Sequence, residues 1–404
     1  MKKIQIVFAL VAVLLVARAA NAVQDLDRLY IINGLAETLS MIDRAGDSVV
    51  ANVMPLGSCP NRIRATGNLL LVANSCSDDL MVIDRDTYAV LHTVSFTVGD
   101  NPWDVVVVDD SLCAVSLLVA NQVAIVNYQL GVERRRFNVG PSPEGLLMVV
   151  SQLWVANTGF DFGTYLYGQG SVSVCNMALT SVQASINVGT NPQAMALGAD
   201  AQIHIVCSGN YTDRAGIVYT MDRDSWQPTD SIPIGGSPGD LAVGVDGLGY
   251  LAAGGFSDSG EVYRYDTRSH AVLNGPGNPW KSARGVLNVL PRAEGGVFTV
   301  CFSADSVVGL SLTGALKEKW QVGDGPGYAA HVTNRVAGDL NDDGKIDVLD
   351  VVEVINVAFR GASMPVRANS ADVNADCQTD VIDVVSIINV AFRGGHGLYW
   401  GCVK

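Results

Sequence analysis

From Arg28 to Asn334 the chain alternates short apolar runs of strand length with turns rich in Gly, Asn and Asp. One unit keeps returning. An apolar strand ending in Val-Ala-Asn or similar, as at Leu71-Val72-Ala73-Asn74, is followed by a polar turn. A second strand such as Leu80-Met81-Val82-Ile83-Asp84 comes next, then a third, then Gly-x-x-Pro. These turns are Gly57 to Pro60, Gly99 to Pro102, Gly140 to Pro143, Gly189 to Pro192, Gly235 to Pro238 and Gly323 to Pro326, with a degenerate one at Gly277 to Pro279. Leu29, Leu69, Leu112, Leu153, Ile203, Tyr250 and Val297 open comparable strands.

A unit of about 45 residues is the size of a four-stranded propeller blade, and the strand openings count seven of them. The first unit lacks a Gly-x-x-Pro segment, while the last such turn is followed by a lone apolar strand at Tyr328 to Val332. Pairing of that strand with Leu29 to Asn33 is predicted to complete the first blade and close the ring. The expected fold is mainly β, a seven-bladed β-propeller over residues 23–334.

At Gly338 the pattern changes. GDLNDDGKIDVLDVVEVINVAFRG is followed about 33 residues later by ADVNADCQTDVIDVVSIINVAFRG. Asp339, Asn341, Asp343, Asp347 and Asp350, then Asp372, Asn374, Asp376, Asp380 and Asp383, fall at loop positions one, three, five, nine and twelve. Oxygen donors at that spacing wrap a hard cation, Ca²⁺, with a backbone carbonyl at position seven from Lys345 and Gln378. Gly344 permits the sharp turn in the first loop; Cys377 replaces it in the second, which costs about 1 kcal/mol where φ is positive. Each loop leads into a helix that is apolar nearly all round, more surface than a two-helix unit covers by itself.

These duplicated loop-helix segments resemble the type I dockerin, an EF-hand-like calcium module that docks onto cohesin domains. The resemblance implies a module over 335–404, two Ca²⁺ ions, a cohesin-like partner and an extracellular assembly, such as one handling polysaccharide. It implies recognition through Val348 and Leu349, repeated as Val381 and Ile382. Ile355, Asn356 and Arg360, repeated as Ile388, Asn389 and Arg393, complete a symmetric docking face. The repeats at Leu71-Val72-Ala73-Asn74, Val82-Ile83-Asp84 and Val98-Gly99-Asp100-Asn101-Pro102 resemble the YVTN-type propeller family, which implies a scaffold more than a ligand.

Composition adds a setting. A net charge of −14 over 404 residues argues against nucleic acid or an anionic membrane as partner. Lys2 and Lys3, the apolar run Ile4 to Ala17 and Ala20-Asn21-Ala22 read as a secretory signal peptide over residues 1–22, with no membrane span after cleavage. Export permits disulfides, and Cys59–Cys76 and Cys377–Cys402 are the two candidates. Cys113, Cys175, Cys207 and Cys301 sit in strand patterns as buried thiols.

His92, His204, His270, His331 and His396 are not expected to converge, and no zinc spacing or nucleophile elbow is present. Asn157 to Gly170 packs Phe160, Phe162, Tyr165 and Tyr167 among glycines. With Asn210, Tyr211, Trp103 and Trp280 it offers an aromatic face for a glycan or peptide, or else folds back onto its blade. The expected function is therefore non-catalytic binding by a secreted scaffold. The rivals are a propeller lyase or lactonase carried by the same module, which would show ionisable groups converging in the central funnel, and calcium repeats that serve only as an intramolecular clip.

Overall fold

A computed structural model describes residues 26–149, 151–255, 260–292, 295–333, 338–340, 346–362, 371, 373 and 379–393. The expected signal peptide over residues 1–22 and the candidate pair Cys377–Cys402 lie outside the described residues. Seven antiparallel sheets form the blades of a propeller. Blade one holds Asp27–Asn33, Thr38–Asp43 and Ser48–Pro55, and its innermost strand is Pro326–Thr333 from the far end of the repeats. The other six blades run in sequence, from the centre outward, starting at Pro60, Pro102, Pro143, Pro192, Asp240 and Val286.

The burial pattern explains why these sequences form these strands. Second strands such as Leu69–Asn74 lie between neighbouring blades and are buried along their whole length, which is why they read as continuous apolar runs. Outer strands such as Val182–Asn187 alternate half-buried and exposed residues, as a strand with one wet face must. Apolar clusters fill each junction between blades; one joins Ile32 and Leu39 of blade one to Leu70 and Val72 of blade two.

The two sequence signatures, terminal Asn and Gly-x-x-Pro, meet in space. Asn33, Asn74 and Asn157 end their second strands fully buried, and their side chains donate to Ser40 at 2.8 Å, Asp79 at 2.6 Å and Ser173 at 3.0 Å. The glycines opening the Gly-x-x-Pro turns lie against these amides. A Cβ on Gly140 would fall 2.6 Å from Asn157, and one on Gly57 2.6 Å from Asn74. Glycine is required there by close approach, not by φ.

Closure follows the predicted strand pairing. Asp27–Asn33 pairs antiparallel with Pro326–Thr333, with Tyr30 opposite Ala330 and Ile32 opposite Tyr328. Asp27, almost fully buried, locks the seam: it accepts from Arg44 at 2.7 Å and lies 2.7 Å from His331 Nε2. Cys59 and Cys76 form the expected disulfide, Cα–Cα 5.3 Å, and the four remaining thiols of the blades are buried.

Two expectations are corrected. The Gly277 to Pro279 segment does not lead into an inner strand; Trp280–Lys281 adds instead to the third strand of blade six, and the inner strand of blade seven begins at Val286. Trp280 is therefore absent from the aromatic face. It is buried against Tyr250 at 5.9 Å, with the Arg264 guanidinium 3.6 Å from its ring centroid.

Beyond the blades stand helices α1 (Val348–Arg360) and α2 (Val381–Arg393). Leu340, Val351, Val354, Ala371, Val373, Val384 and Ile387 form their shared core. Among the described residues, no helix is long and apolar enough to cross a membrane.

Ending the propeller before Gly323 removes the seam strand and opens the edge of blade one. The melting transition of that truncated chain is expected to fall far below that of a chain ending at Asn334, which retains the seam. Equal melting temperatures for the two would show that closure is not what holds the ring.

Candidate functional site

The module is built by two aspartates per repeat. Asp347 caps α1, accepting from Leu349 N–H at 2.8 Å, a cap worth about 1 kcal/mol. Asp350, fully buried, accepts from Asp347 N–H at 2.8 Å and from Leu340 N–H at 2.7 Å. The second repeat reproduces this. Asp380 accepts from Ile382 N–H at 2.7 Å, and buried Asp383 accepts from Asp380 N–H and Val373 N–H, both at 2.8 Å. Its described residues thus keep the first repeat's geometry despite Cys377.

This donor set fits a hard cation. Asp339 and Asp350 are both buried, and the nearby Glu353 has its pKa raised, by burial and then by Asp350 and Asp339. Carboxylates drawn together under cover require a compensating positive charge. Asn341, Asp343, Lys345, Asp372, Asn374, Asp376 and Gln378 lie outside the described residues.

The surface of the module carries the symmetry of its sequence. Val348 and Leu349 are exposed, as are Val381 and Ile382. Phe359 and Phe392, not singled out from the sequence as contacts, are each 61% exposed, and Val352 and Val385 also face solvent. Ile355 and Ile388 instead pack half-buried against the helical core. Arg360 is exposed and donates to Asn356 at 2.9 Å; Asn389 is half-buried.

In the propeller, ionisable groups do converge at the centre. The residue two places after the turn proline is Arg62 in blade two, Asp104 in three, Asp240 in six and Tyr328 in the seam strand. Arg62 lies 3.2 Å from Asp104 and 3.8 Å from Asp240, with Tyr328 stacked 3.7 Å from its guanidinium. Burial works against the Arg62 charge, but Tyr328, Asp104, Asp240 and Glu144 outweigh it and its pKa is raised.

The carboxylates of this cluster lace neighbouring inner strands that do not pair with each other. Asp104 accepts from Leu146 N–H at 3.0 Å and Asp240 from Val289 N–H at 3.1 Å, and the amide oxygen of Asn288 acts alike, accepting from Ala329 N–H at 3.1 Å. Their oxygens are engaged in holding the ring. Glu144 differs: it is buried, and burial, offset by Arg62 and reinforced by Asp104, pushes its pKa up to about 8.

On the Gly-x-x-Pro face the segment after Asn157 forms a hairpin, Phe160–Asp161 with Leu166–Tyr167. Phe160 meets Phe162 and Tyr167 at 5.0 Å, and Tyr167 meets Tyr211 of the next blade at 5.9 Å. Phe162, Tyr165 and Tyr211 stay exposed, while Trp103 is half-buried. A cavity of about 350 Å³ opens beside this hairpin, lined among others by Gln169, Val188, Arg214 and Tyr219.

The histidines do not all stand apart as expected. His204, in the second strand of blade five (Gln202–Cys207), meets His270, in a turn of blade six on the opposite face, with ring centroids 5.7 Å apart. His92 lies 3.2 Å from Gln129 O and His331 belongs to the seam.

Comparison with known proteins agrees with this division. Residues 337–390 match the family profile described as Dockerin type I domain, which supports calcium binding and cohesin docking by this segment. No curated protein matches the chain. Among solved structures, a proposed 6-phosphogluconolactonase from Bacteroides uniformis is 13% identical, TM-score 0.61, over 76% of this chain and 100% of that one. Hydrazine synthase from Kuenenia stuttgartiensis is 15% identical, TM-score 0.54, over 66% and 87%. Virginiamycin B lyase from Staphylococcus aureus is 11% identical, TM-score 0.51, over 65% and 84%. At these identities the likeness is one of fold. The class is thus a seven-bladed propeller followed by a dockerin type I segment.

Glu144 carries a pH dependence. Its carboxyl holds its proton in the folded state up to about pH 8, but gives it up near the ordinary glutamate value of 4.5 when unfolded. Stability contributed by the neutral form is complete below pH 4.5 and is lost as pH rises through about 8. Glu144→Gln removes this slope, so the variant should gain on the wild type between pH 5 and about 8 in chemical denaturation. Parallel profiles for the two proteins would show that Glu144 is ionised in the fold.

Proposed function

We propose that the chain is a secreted, non-catalytic binding or scaffold protein, anchored to an extracellular assembly through its C-terminal module. Residues 23–334 are the propeller and 335–404 the docking module. The observation that carries this reading is the doubled loop-helix unit with two matching exposed apolar surfaces, on a segment that matches the dockerin family. Each loop binds one Ca²⁺ through positions one, three, five, seven, nine and twelve, from Asp339 to Asp350 and from Asp372 to Asp383. The partner is a cohesin-like domain, seated on Val348, Leu349 and Arg360, or equivalently on Val381, Ile382 and Arg393. Phe359 and Phe392 extend those surfaces, whereas Ile355 and Ile388 support them from beneath. Export is supported by the N-terminal Lys-plus-apolar pattern. The exposed aromatics around Tyr165 and Tyr211 suit a sugar ring or an extended peptide, in keeping with an assembly that handles polysaccharide.

A second reading draws on Glu144. A buried carboxyl that keeps its proton near neutrality, beside a buried arginine, is the form a general acid takes. It would make the propeller a lyase or lactonase carried by the same module. The engagement of Asp104 and Asp240 with backbone N–H groups favours the non-catalytic reading.

Capture of the full chain on immobilised cohesin domains tests the docking. Capture is expected with calcium and not with chelator. Val348→Asp with Leu349→Asp should leave most of it, because the second surface substitutes; adding Val381→Asp and Ile382→Asp should weaken it at least about 100-fold. No capture in calcium, from a folded chain, would leave the repeats as an intramolecular clip.

A further inference from the structure

The turn after the third strand is the same in three blades: Asp84-Arg85-Asp86-Thr87-Tyr88, Asp222-Arg223-Asp224-Ser225-Trp226 and Asp266-Thr267-Arg268-Ser269-His270. In each, the first aspartate accepts backbone N–H groups two and three residues on. The fifth residue takes a positive φ of 59°, 59° and 60°. This geometry throws the fifth side chain across to the preceding blade. Tyr88 and Trp226 land on apolar clusters there. His270 does not. It lands on Asp200 and Asp230 of blade five, where an apolar cap has been replaced by ligating chemistry.

The atoms presented are suited to one task. His204 Nε2 is 3.1 Å from one Asp200 oxygen and His270 Nε2 3.2 Å from the other. All three donors fall within 4.8 Å of one another. Bonds of about 2.0 Å to a tetrahedral zinc separate its ligands by about 3.3 Å. Both imidazoles are oriented from behind. His270 Nδ1 lies 2.8 Å from Asp230, and His204 Nδ1 3.0 Å from the buried Tyr265 hydroxyl. Burial works against a charge on His270, but Asp230 and Asp200 outweigh it and raise its pKa, so a cation at Nε2 takes the place of a proton there. Gly198 keeps the space clear, since a Cβ on it would collide with both His204 Nε2 and Asp200 Oδ1.

We propose that Asp200, His204 and His270 form a divalent transition-metal site of the zinc class, pinning blade five to blade six on the face opposite the Gly-x-x-Pro turns. Two imidazoles and one carboxylate select such a metal over Ca²⁺, which the all-oxygen loops of the module prefer. Water from the open side completes the coordination, because His270 and Asp200 retain partial exposure while His204 is sealed.

The test uses the full chain saturated with calcium, so that the module's loops are filled. Zn²⁺ is titrated by calorimetry, and Co²⁺ by visible absorption. One Zn²⁺ per chain is expected beyond calcium, with Co²⁺ bands of four- or five-coordinate geometry. His270→Ala should weaken binding at least about 100-fold, and Asp230→Asn, which alters only the orienting group, about 10- to 100-fold. Circular dichroism confirms that the variants fold. A wild type that takes up no Zn²⁺ overturns the proposal and leaves a hydrogen-bonded blade junction. Uptake unaffected by both substitutions overturns it equally, by placing the metal elsewhere.

Discussion

The structure depends on one pairing between the ends of its repeat array. Six blades are each drawn from a continuous stretch, but blade one borrows its innermost strand from residues 326–333, about 300 positions away. Until that strand arrives, the apolar surfaces of Leu29, Ile31 and Ile32 and of Phe298 and Val300 lack their common neighbour. A sheet edge is also open on each side of the gap. The seam is held by more than strand pairing, because Asp27 draws Arg44 and His331 into it.

Closure also decides what the centre can hold. Arg62 is nearly inaccessible, and an unpaired charge there would cost several kcal/mol. Its compensation comes from blades three and six and from Tyr328 on the seam strand, groups that share one spot only in a completed ring. The same carboxylates satisfy N–H groups of inner strands that have no strand partner on that side. The charge at the centre is therefore chiefly structural, and beside it burial pushes the Glu144 pKa up to about 8. The C-terminal module meets its acidity differently. Its buried aspartates have helix-cap N–H groups around them, while the remaining negative charge calls for a cation from solvent.

How much of this was legible in the sequence depended on the distance over which each feature is encoded. The blade count and the seam were readable because each strand's burial is written locally as an apolar run. The doubled dockerin-like segment was readable because its acidic spacing falls within one short window, twice over. The disulfide was readable because Cys59 and Cys76 flank turns of one blade. The central cluster was not foreseen, although Arg62, Asp104, Asp240 and Tyr328 share a position two residues after a turn proline; they come from separate blades, and no local window shows them together. His204 and His270 were missed for the same reason, 66 residues apart in adjacent blades. The signal available was the histidine in place of Tyr88 and Trp226 in a repeated turn. Trp280 was misplaced because an inserted strand displaced the degenerate turn.

The central claim is that a closed propeller and a calcium-dependent docking module are separate cooperative units on one chain. Scanning calorimetry of the full chain, with calcium and then with chelator, tests this most directly. The account predicts two transitions in calcium, of which only the smaller is lost or moved down by chelation, with the propeller transition unchanged. A single transition that shifts as a whole on chelation would contradict it, because the module's folding would then be inseparable from that of the ring.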